Sequence, residues 1–523
     1  MRRVLPLLLP PVLALMLFGY ALALPPFLDD GNLYLMIHDY QDVGVHGLRF
    51  WTGSAAYQYY RPLGFTVMEL AYGADAAWNV WALHAFNLLV YAATALGVAV
   101  LTQRVSGSRW AGVIGGCAFV LYPYTYRSVT WIAALFHVMV AAGVVWALVG
   151  TLWWMDGRRG ALAWAGVLLA TAWALFSQEA GLLVGPLVLL TAVLVYGWGV
   201  LARRRLWALL LPIGALTGGF LLIYFNVPRP AAGPLTLYHG MLPGSLAVFA
   251  QGFAYPFFAA VNRLGGEFAV PRTLPMLALG AGVVMLGVWM AGAGRRRAAV
   301  LGVLCFGGLA LPALLLTPTD YVKGSPHILT TAAVGMGVFW GAALSGALAR
   351  GRALPMRALA VLVMLGGVGV SLAFNAARQA EAQRQADYVM ALYAMVGDEP
   401  DGVALVNPPA FLGAYAGQRW FLTGSEATMF MQRYSNYGLL FRAMTGRSYP
   451  DFPAYLVIPA FAPPPSYEYA PLWTDDNLDA GYISQRLVEA RRVIITRMEG
   501  DRFWPEAIDG ADWPDYARQQ GWE

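Results

Sequence analysis

Apolar residues fill long blocks of the chain up to Asn375 and then give way to short runs separated by polar stretches. A helix that crosses a bilayer needs roughly 20 predominantly apolar residues. Eleven segments meet or approach that length: 4–24, 78–101, 110–123, 129–153, 160–176, 181–199, 206–225, 274–293, 298–316, 327–348 and 354–374. The first follows Arg2 and Arg3 as a signal peptide would, yet it is long for a cleaved segment and further spans follow it, so it reads as a retained helix. Arginines then fall in every second gap: Arg104 and Arg109, Arg158 and Arg159, Arg203 to Arg205, Arg295 to Arg297, and Arg350 with Arg352 and Arg357. The positive-inside rule places those gaps and the N-terminus in the cytoplasm, and an odd span count places the C-terminus outside.

The alternate gaps face outward, and two are long. The loop 25–77 carries Asp29, Asp30, Asp39 and Asp42, and its stretch Tyr57–Tyr72 reads as an amphipathic helix at the membrane surface. The loop 226–274 is broken by Pro228, Pro230, Pro234 and Pro243, with a second interfacial helix expected near Leu246 to Val261. Beyond the last span, Ala376 to Met395 predicts a polar helix leaving the membrane. Apolar runs at Val403–Val406, Tyr455–Ile458 and Val493–Thr496 then predict buried strands. The expected fold is therefore a polytopic α-helical membrane protein of eleven transmembrane helices (1–375) followed by a small α/β extracytoplasmic domain (376–523).

Composition agrees. With 59% hydrophobic and 12% charged residues, the chain falls outside the range of soluble globular proteins. The net charge of +5 hides a basic membrane part and an acidic C-terminal segment, so basicity reports topology and argues against a nucleic-acid partner. Cys117 and Cys305 both lie in apolar runs and imply no disulfide framework.

The chemistry concentrates at Pro25–Tyr34, where Asp29 and Asp30 stand beside each other as the first span ends. Two carboxylates so close to hydrocarbon are costly. They read either as a solvated loop capping the helix end or as a general base serving a substrate that reaches both lipid and water. His84, Asn87 and Tyr91 share one face of the second span by their spacing and should look into the bundle. Glu179, at the end of another span, needs a partner such as Arg127. Lys323 is the chain's single lysine and lies with His327 before the tenth span. No H-E-x-x-H motif or cysteine cluster points to a metal, and no cofactor is expected; a divalent ion between Asp29 and Asp30 is the minor reading.

Several of these segments together resemble the GT-C superfamily of integral-membrane glycosyltransferases, nearest to its protein O-mannosyltransferase-like and transmembrane-TPR mannosyltransferase branch. The residues are Asp29-Asp30 after the first span, Tyr60-Arg61-Pro62-Leu63, His84 and Asn87, Pro123 with Val129, Trp131 and Ile132, and Phe176-Ser177-Gln178-Glu179-Ala180-Gly181 followed by Pro186. The chain departs from the family where Gln178 replaces a lysine, Thr125 and Arg127 replace a histidine and a glutamate, and Tyr91 replaces a second histidine. The C-terminal domain shows no 34-residue helical repeat.

The resemblance implies transfer of a sugar from a polyprenyl-phosphate donor to a glycan, lipid or protein acceptor outside the cytoplasm, with inversion. Asp29 is the first choice for the base and Asp30 the second. Arg61, Lys323 and His327 are expected at the donor phosphate, supported by Tyr60, His84, Asn87, Arg127 and Glu179. The competing class is a transporter or flippase of lipid-linked intermediates, which should show broken spans with charges at mid-membrane and two related halves. A catalytically inactive scaffold presenting the C-terminal domain is the third. A reporter active only in the cytoplasm should work when fused after Arg205 or Arg297 and be silent after Asn375; activity at Asn375 would mean an even span count.

Overall fold

A computed structural model describes residues 5–42, 49–52, 59–158, 160–228, 242–254, 273–317, 326–350, 354–397, 399–412, 428–429, 437–450, 452–455, 457, 469–471, 480–499 and 502–522. Among these, eight helical segments are long and apolar enough to cross a membrane: Leu5–Ala23, Val80–Ser106, Ile132–Met155, Gly160–Ser177, Glu179–Tyr196, Arg204–Asn226, Met276–Leu315 and Leu354–Val396. Two shorter apolar helices, Arg109–Val120 and Ala333–Ala349, accompany them. The protein is an integral membrane protein with a helical bundle.

The difference from eleven expected segments has a physical cause. The helix Thr273–Leu316 joins the expected spans 274–293 and 298–316, and it is interrupted only at Gly292, whose φ of 64° a residue with a Cβ rarely adopts. Arg350 crosses this kink and donates from Nη2 to the Trp289 carbonyl at 2.6 Å. The last span likewise runs without a break into the expected polar helix, as Leu354–Val396.

Burial follows the apolar pattern. Every residue from Ala333 to Ala347 is buried, so this small-residue helix sits at the centre of the bundle, where short side chains let neighbours approach. On the outer helices, Leu89, Leu162, Leu169, Leu211, Leu222 and Leu365 remain exposed, as suits side chains facing lipid tails.

The C-terminal part is built on a four-stranded sheet in the order β4-β1-β6-β7. Here β1 is Val403–Val406, β4 Ala454–Tyr455, β6 Arg492–Glu499 and β7 Arg502–Asp509. Strand β1 pairs in parallel with β4 and β6, while β6 and β7 form an antiparallel hairpin. A smaller sheet joins β2 (Pro409–Leu412), β3 (Thr428–Met429) and β5 (Tyr469–Pro471). The strands expected at Val403–Val406 and Val493–Thr496 are present. That expected at Tyr455–Ile458 forms a strand only at its start, as β4, and β7, whose apolar residues are split by Pro505 and Glu506, escaped the pattern. Tyr388, Val389, Leu392 and Val396 of the long last helix share a core with Val403, Leu405 and Ile494, so the sheet rests on the helix that leaves the bundle.

The first loop forms a helix at Asp30–Asp42 and another at Pro62–Leu70, inside the stretch expected to lie at the interface. In the second loop a helix covers Leu242–Ala254. The rest of that expected element, and Lys323, lie outside the described residues.

Candidate functional site

The first span ends at Ala23, and five residues later Leu28 takes a left-handed conformation, φ 59°, that costs a branched side chain on the order of 1–2 kcal/mol. This turn reverses the chain so that Asp29 and Asp30 open the helix Asp30–Asp42. The Asp29 carbonyl accepts from Asn32 and Leu33 at 3.0 and 3.1 Å, which makes Asp29 the cap of that helix.

The adjacent carboxylates meet different fates. Asp30 is fully buried, and each of its oxygens accepts a backbone hydrogen bond: Oδ2 from the Phe27 N–H at 3.0 Å, Oδ1 from the Ala133 N–H at 2.9 Å. The Trp131 indole adjoins the same carboxylate. Asp30 thereby ties the turn after the first span to the start of Ile132–Met155. Burial pushes its carboxyl well above the usual range, opposed by the Phe27 N–H and reinforced by the Asp29 charge. Asp29 is partly exposed, and its Oδ1 is buried with no hydrogen-bond partner. Burial raises its carboxyl to about 6, held back by its backbone hydrogen bond.

Facing this turn is a pocket whose lining includes Phe27 and Leu28, Arg127, and Arg378 with Glu381 and Gln385 from the last helix. Arg127 and Arg378 are each only 4% exposed. Two cations from separate elements, with Glu381 beside them, thus line the same pocket as Phe27 and Leu28, the residues that precede Asp29. The Arg127 segment is broken helix, with Pro123–Thr125 a 3-10 turn and Tyr126–Thr130 a single short helix, so its carbonyls need partners. The second span supplies them. Asn87 Nδ2 donates to the Ser128 and Val129 carbonyls at 2.7 and 3.0 Å, and the Tyr91 hydroxyl meets Thr125 Oγ1 at 2.8 Å. His84, fully buried on the same face, turns its ring to the Leu24 backbone.

A second polar group lies behind Trp131. The rings of Trp131 and His137 each stand edge-on to His327, both at 5.2 Å. Gln178 Nε2 lies 3.3 Å from His137 Nδ1. Next to it, Arg61 donates from Nε and Nη2 to Glu179 Oε2 at 3.1 and 2.9 Å. This corrects the pairing expected from the sequence: the partner of Glu179 is Arg61, and Arg127 belongs to the pocket on the other side of Trp131. The cause is the break between Ser177 and Glu179, which aims Glu179 at the start of the helix Pro62–Leu70. Tyr60 is buried and donates to the Trp51 carbonyl at 3.0 Å, packing against Phe220.

The structure therefore gathers Asp29, Asp30, Arg127, His327, Arg61 and Glu179 at one end of the bundle. Sequence reasoning missed two participants. His137 is a lone histidine inside an apolar span, which is itself a signal of function. Arg378 lies just past the last apolar residue, where a snorkelling cation is ordinary. The described residues hold no group of three or more metal-ligating side chains.

No protein-family model and no curated protein matches the sequence. Among solved structures, the chain is similar to the apo oligosaccharyltransferase of Archaeoglobus fulgidus at 13% identity and a TM-score of 0.42, covering 86% of this chain and 64% of that one. It is also similar to ArnT from Cupriavidus metallidurans bound to undecaprenyl phosphate, at 14% identity and a TM-score of 0.37, covering 93% of this chain and 91% of the other. The arabinosyltransferase EmbB of Mycobacterium smegmatis is similar at 16% identity and a TM-score of 0.36, covering 73% of this chain and 41% of the other. The chain thus spans less than two thirds of the oligosaccharyltransferase, and these likenesses assign no residue here a role.

The buried Asp29 carboxyl carries a stability prediction. A carboxyl raised in the folded state costs stability progressively as pH rises from the unfolded value to about 6, and the full penalty stands above that. The penalty disappears below the unfolded value, where both states are protonated. Asp29→Asn should therefore raise stability by about 3 kcal/mol at most at pH 8 and change it little at pH 3.5, as read by thermal unfolding in detergent at the two pH values.

Proposed function

We propose that the protein transfers a sugar from a polyprenyl-phosphate carrier to an acceptor hydroxyl at the extracytoplasmic face, with Asp29 as the general base. The observation that supports this reading best is the partnerless, buried Asp29 oxygen beside a pocket whose walls carry Arg127 and Arg378. Each Asp30 oxygen is engaged by a backbone N–H of the fold, whereas Asp29 keeps one oxygen without a partner. Its raised proton affinity also suits a base that must take a proton near neutral pH.

In this scheme Asp29 takes the proton of the acceptor hydroxyl as the oxygen attacks the anomeric carbon. The bond from that carbon to the phosphate oxygen breaks with its electron pair, and the sugar is inverted. The lipid phosphate leaves as an anion, and two nearly buried arginines lining one pocket are suited to hold it. Arg127 and Arg378 take this role because both line that pocket, while Arg61 stands with Glu179 beside His137. Lys323, expected at the phosphate from the sequence, lies outside the described residues. Asp30 acts otherwise, by fixing the turn on which Asp29 stands.

Mass spectrometry of membrane lipids and envelope glycans, with and without the gene, tests this reading. Loss should remove one sugar from a glycan, lipid or protein and accumulate its polyprenyl-phosphate donor. Unchanged lipids and glycans would contradict it.

A further inference from the structure

The C-terminal domain reaches back to the first loop. Its helix Tyr437–Thr445 packs along the helix Asp30–Asp42, and the two come close at Gly31, the residue after Asp30. A Cβ on Gly31 would lie 2.8 Å from the Leu439 Cβ and 3.1 Å from the Leu439 backbone carbon, so only glycine permits this contact. Ala443 shares a core with Leu33, Tyr34 and Ile37. Its carbonyl also accepts from the Trp78 N–H at 2.8 Å, joining the domain to the turn before the second span.

A half-buried polar bridge runs across the same contact. Arg442 Nη2 meets His38 Nε2, and His38 Nδ1 meets the Tyr72 hydroxyl at 2.6 Å. Arginine only donates, so His38 Nε2 is the acceptor and Nδ1 carries the proton that goes to Tyr72. Arg442 also reaches the Tyr34 hydroxyl, which donates to the Ala76 carbonyl at 2.6 Å. Ala76 itself is held at φ 61°, so this turn keeps a shape that the surrounding contacts must enforce. The Tyr34 ring stacks on those of His38 and Tyr72 with centroids 5.7 and 6.0 Å apart.

We infer that the C-terminal domain is a clamp on the first-loop helix, with Arg442 a positioning residue that holds Asp29 at its place in the site. The inference rests on the role proposed for Asp29. Asp29 and Asp30 begin the helix that Arg442 anchors through His38, two turns further on. Asp30 fixes the near end of that helix to the bundle, and the clamp fixes its length. Without the clamp, the base is free to shift by a fraction of an ångström to an ångström, and displacements of that size cost roughly 100-fold in rate.

The test uses the full-length protein in lipid nanodiscs. Hydrogen exchange is followed in peptides covering Asp30–Asp42 and in the spans, for wild type, Arg442→Ala and Arg442→Lys. Turnover is read as release of undecaprenyl phosphate from a panel of undecaprenyl-phosphate-linked hexoses and pentoses, and carrier binding is read with undecaprenyl phosphate alone. Arg442→Ala should speed exchange in Asp30–Asp42 roughly tenfold, leave the spans protected and lower kcat roughly 10- to 100-fold while undecaprenyl phosphate affinity stays within about twofold. Arg442→Lys, which keeps a charged donor, should recover part of both. Unchanged exchange and kcat in Arg442→Ala would overturn the clamp, as would faster exchange spread evenly over helix and spans. Failure of the glycosyltransferase reading shows separately, as unaltered envelope lipids when the gene is lost, while the exchange data still report on the clamp.

Discussion

Two adjacent carboxylates must leave water together where the first span ends, and the rest of the site is arranged around how that cost is divided. A buried ionised carboxylate with no donor is among the most expensive groups a fold can hold. Asp30 escapes the cost by accepting two backbone N–H groups, one from its own turn and one from the start of another span. Asp29 does not escape it: one of its oxygens stays buried and unmatched. The left-handed Leu28 between the span and the pair adds a second unfavourable feature at the same place. Strain and an unsatisfied group at one turn are what a site looks like when the fold keeps a reactive side chain available rather than comfortable.

Helix breaks supply the surroundings. Around Pro123 and Gln178, the chain stops being regular α-helix at the end of the bundle that holds Asp29. Each break turns polar side chains inward and leaves carbonyls that the bilayer cannot satisfy. Asn87 and Tyr91 answer those near Arg127, while Glu179, released by its own break, meets Arg61. The C-terminal domain covers the same end through the contacts of Arg442 and Ala443 with the first loop. Bundle, loop and C-terminal domain thus converge on one short helix.

The spans were legible because each is a statement about a single stretch of chain: apolar length, flanking arginines, a sharp polar stop. The Asp29–Asp30 pair was legible for the same reason, since two acids beside a hydrophobic block stand out without any partner. Strands β1 and β6 announced themselves as short apolar runs. What stayed hidden needs distance information. Arg61 and Glu179 are 118 residues apart, and nothing local says that they meet. The interdomain bridge joins positions 404 residues apart. The different fates of Asp29 and Asp30 depend on the Ala133 N–H, which only the fold brings near. Gly292 could have been read as a kink, but one glycine among many in apolar helices carries little signal.

If one carboxylate is a base and its neighbour a strut, their amides should fail in different ways. The most direct measurement is the single-turnover transfer rate of Asp29→Asn and Asp30→Asn beside wild type, with thermal unfolding of each. Asn has nearly the shape of Asp but accepts no proton at neutral pH, and loss of a general base costs roughly 10²–10⁴-fold. Asp29→Asn should therefore be folded, at least as stable as wild type and slower by that factor. Asp30→Asn should instead be destabilised, because its amide group turns a donor toward the Phe27 or Ala133 N–H. Wild-type transfer by a folded Asp29→Asn protein would contradict the account at its centre.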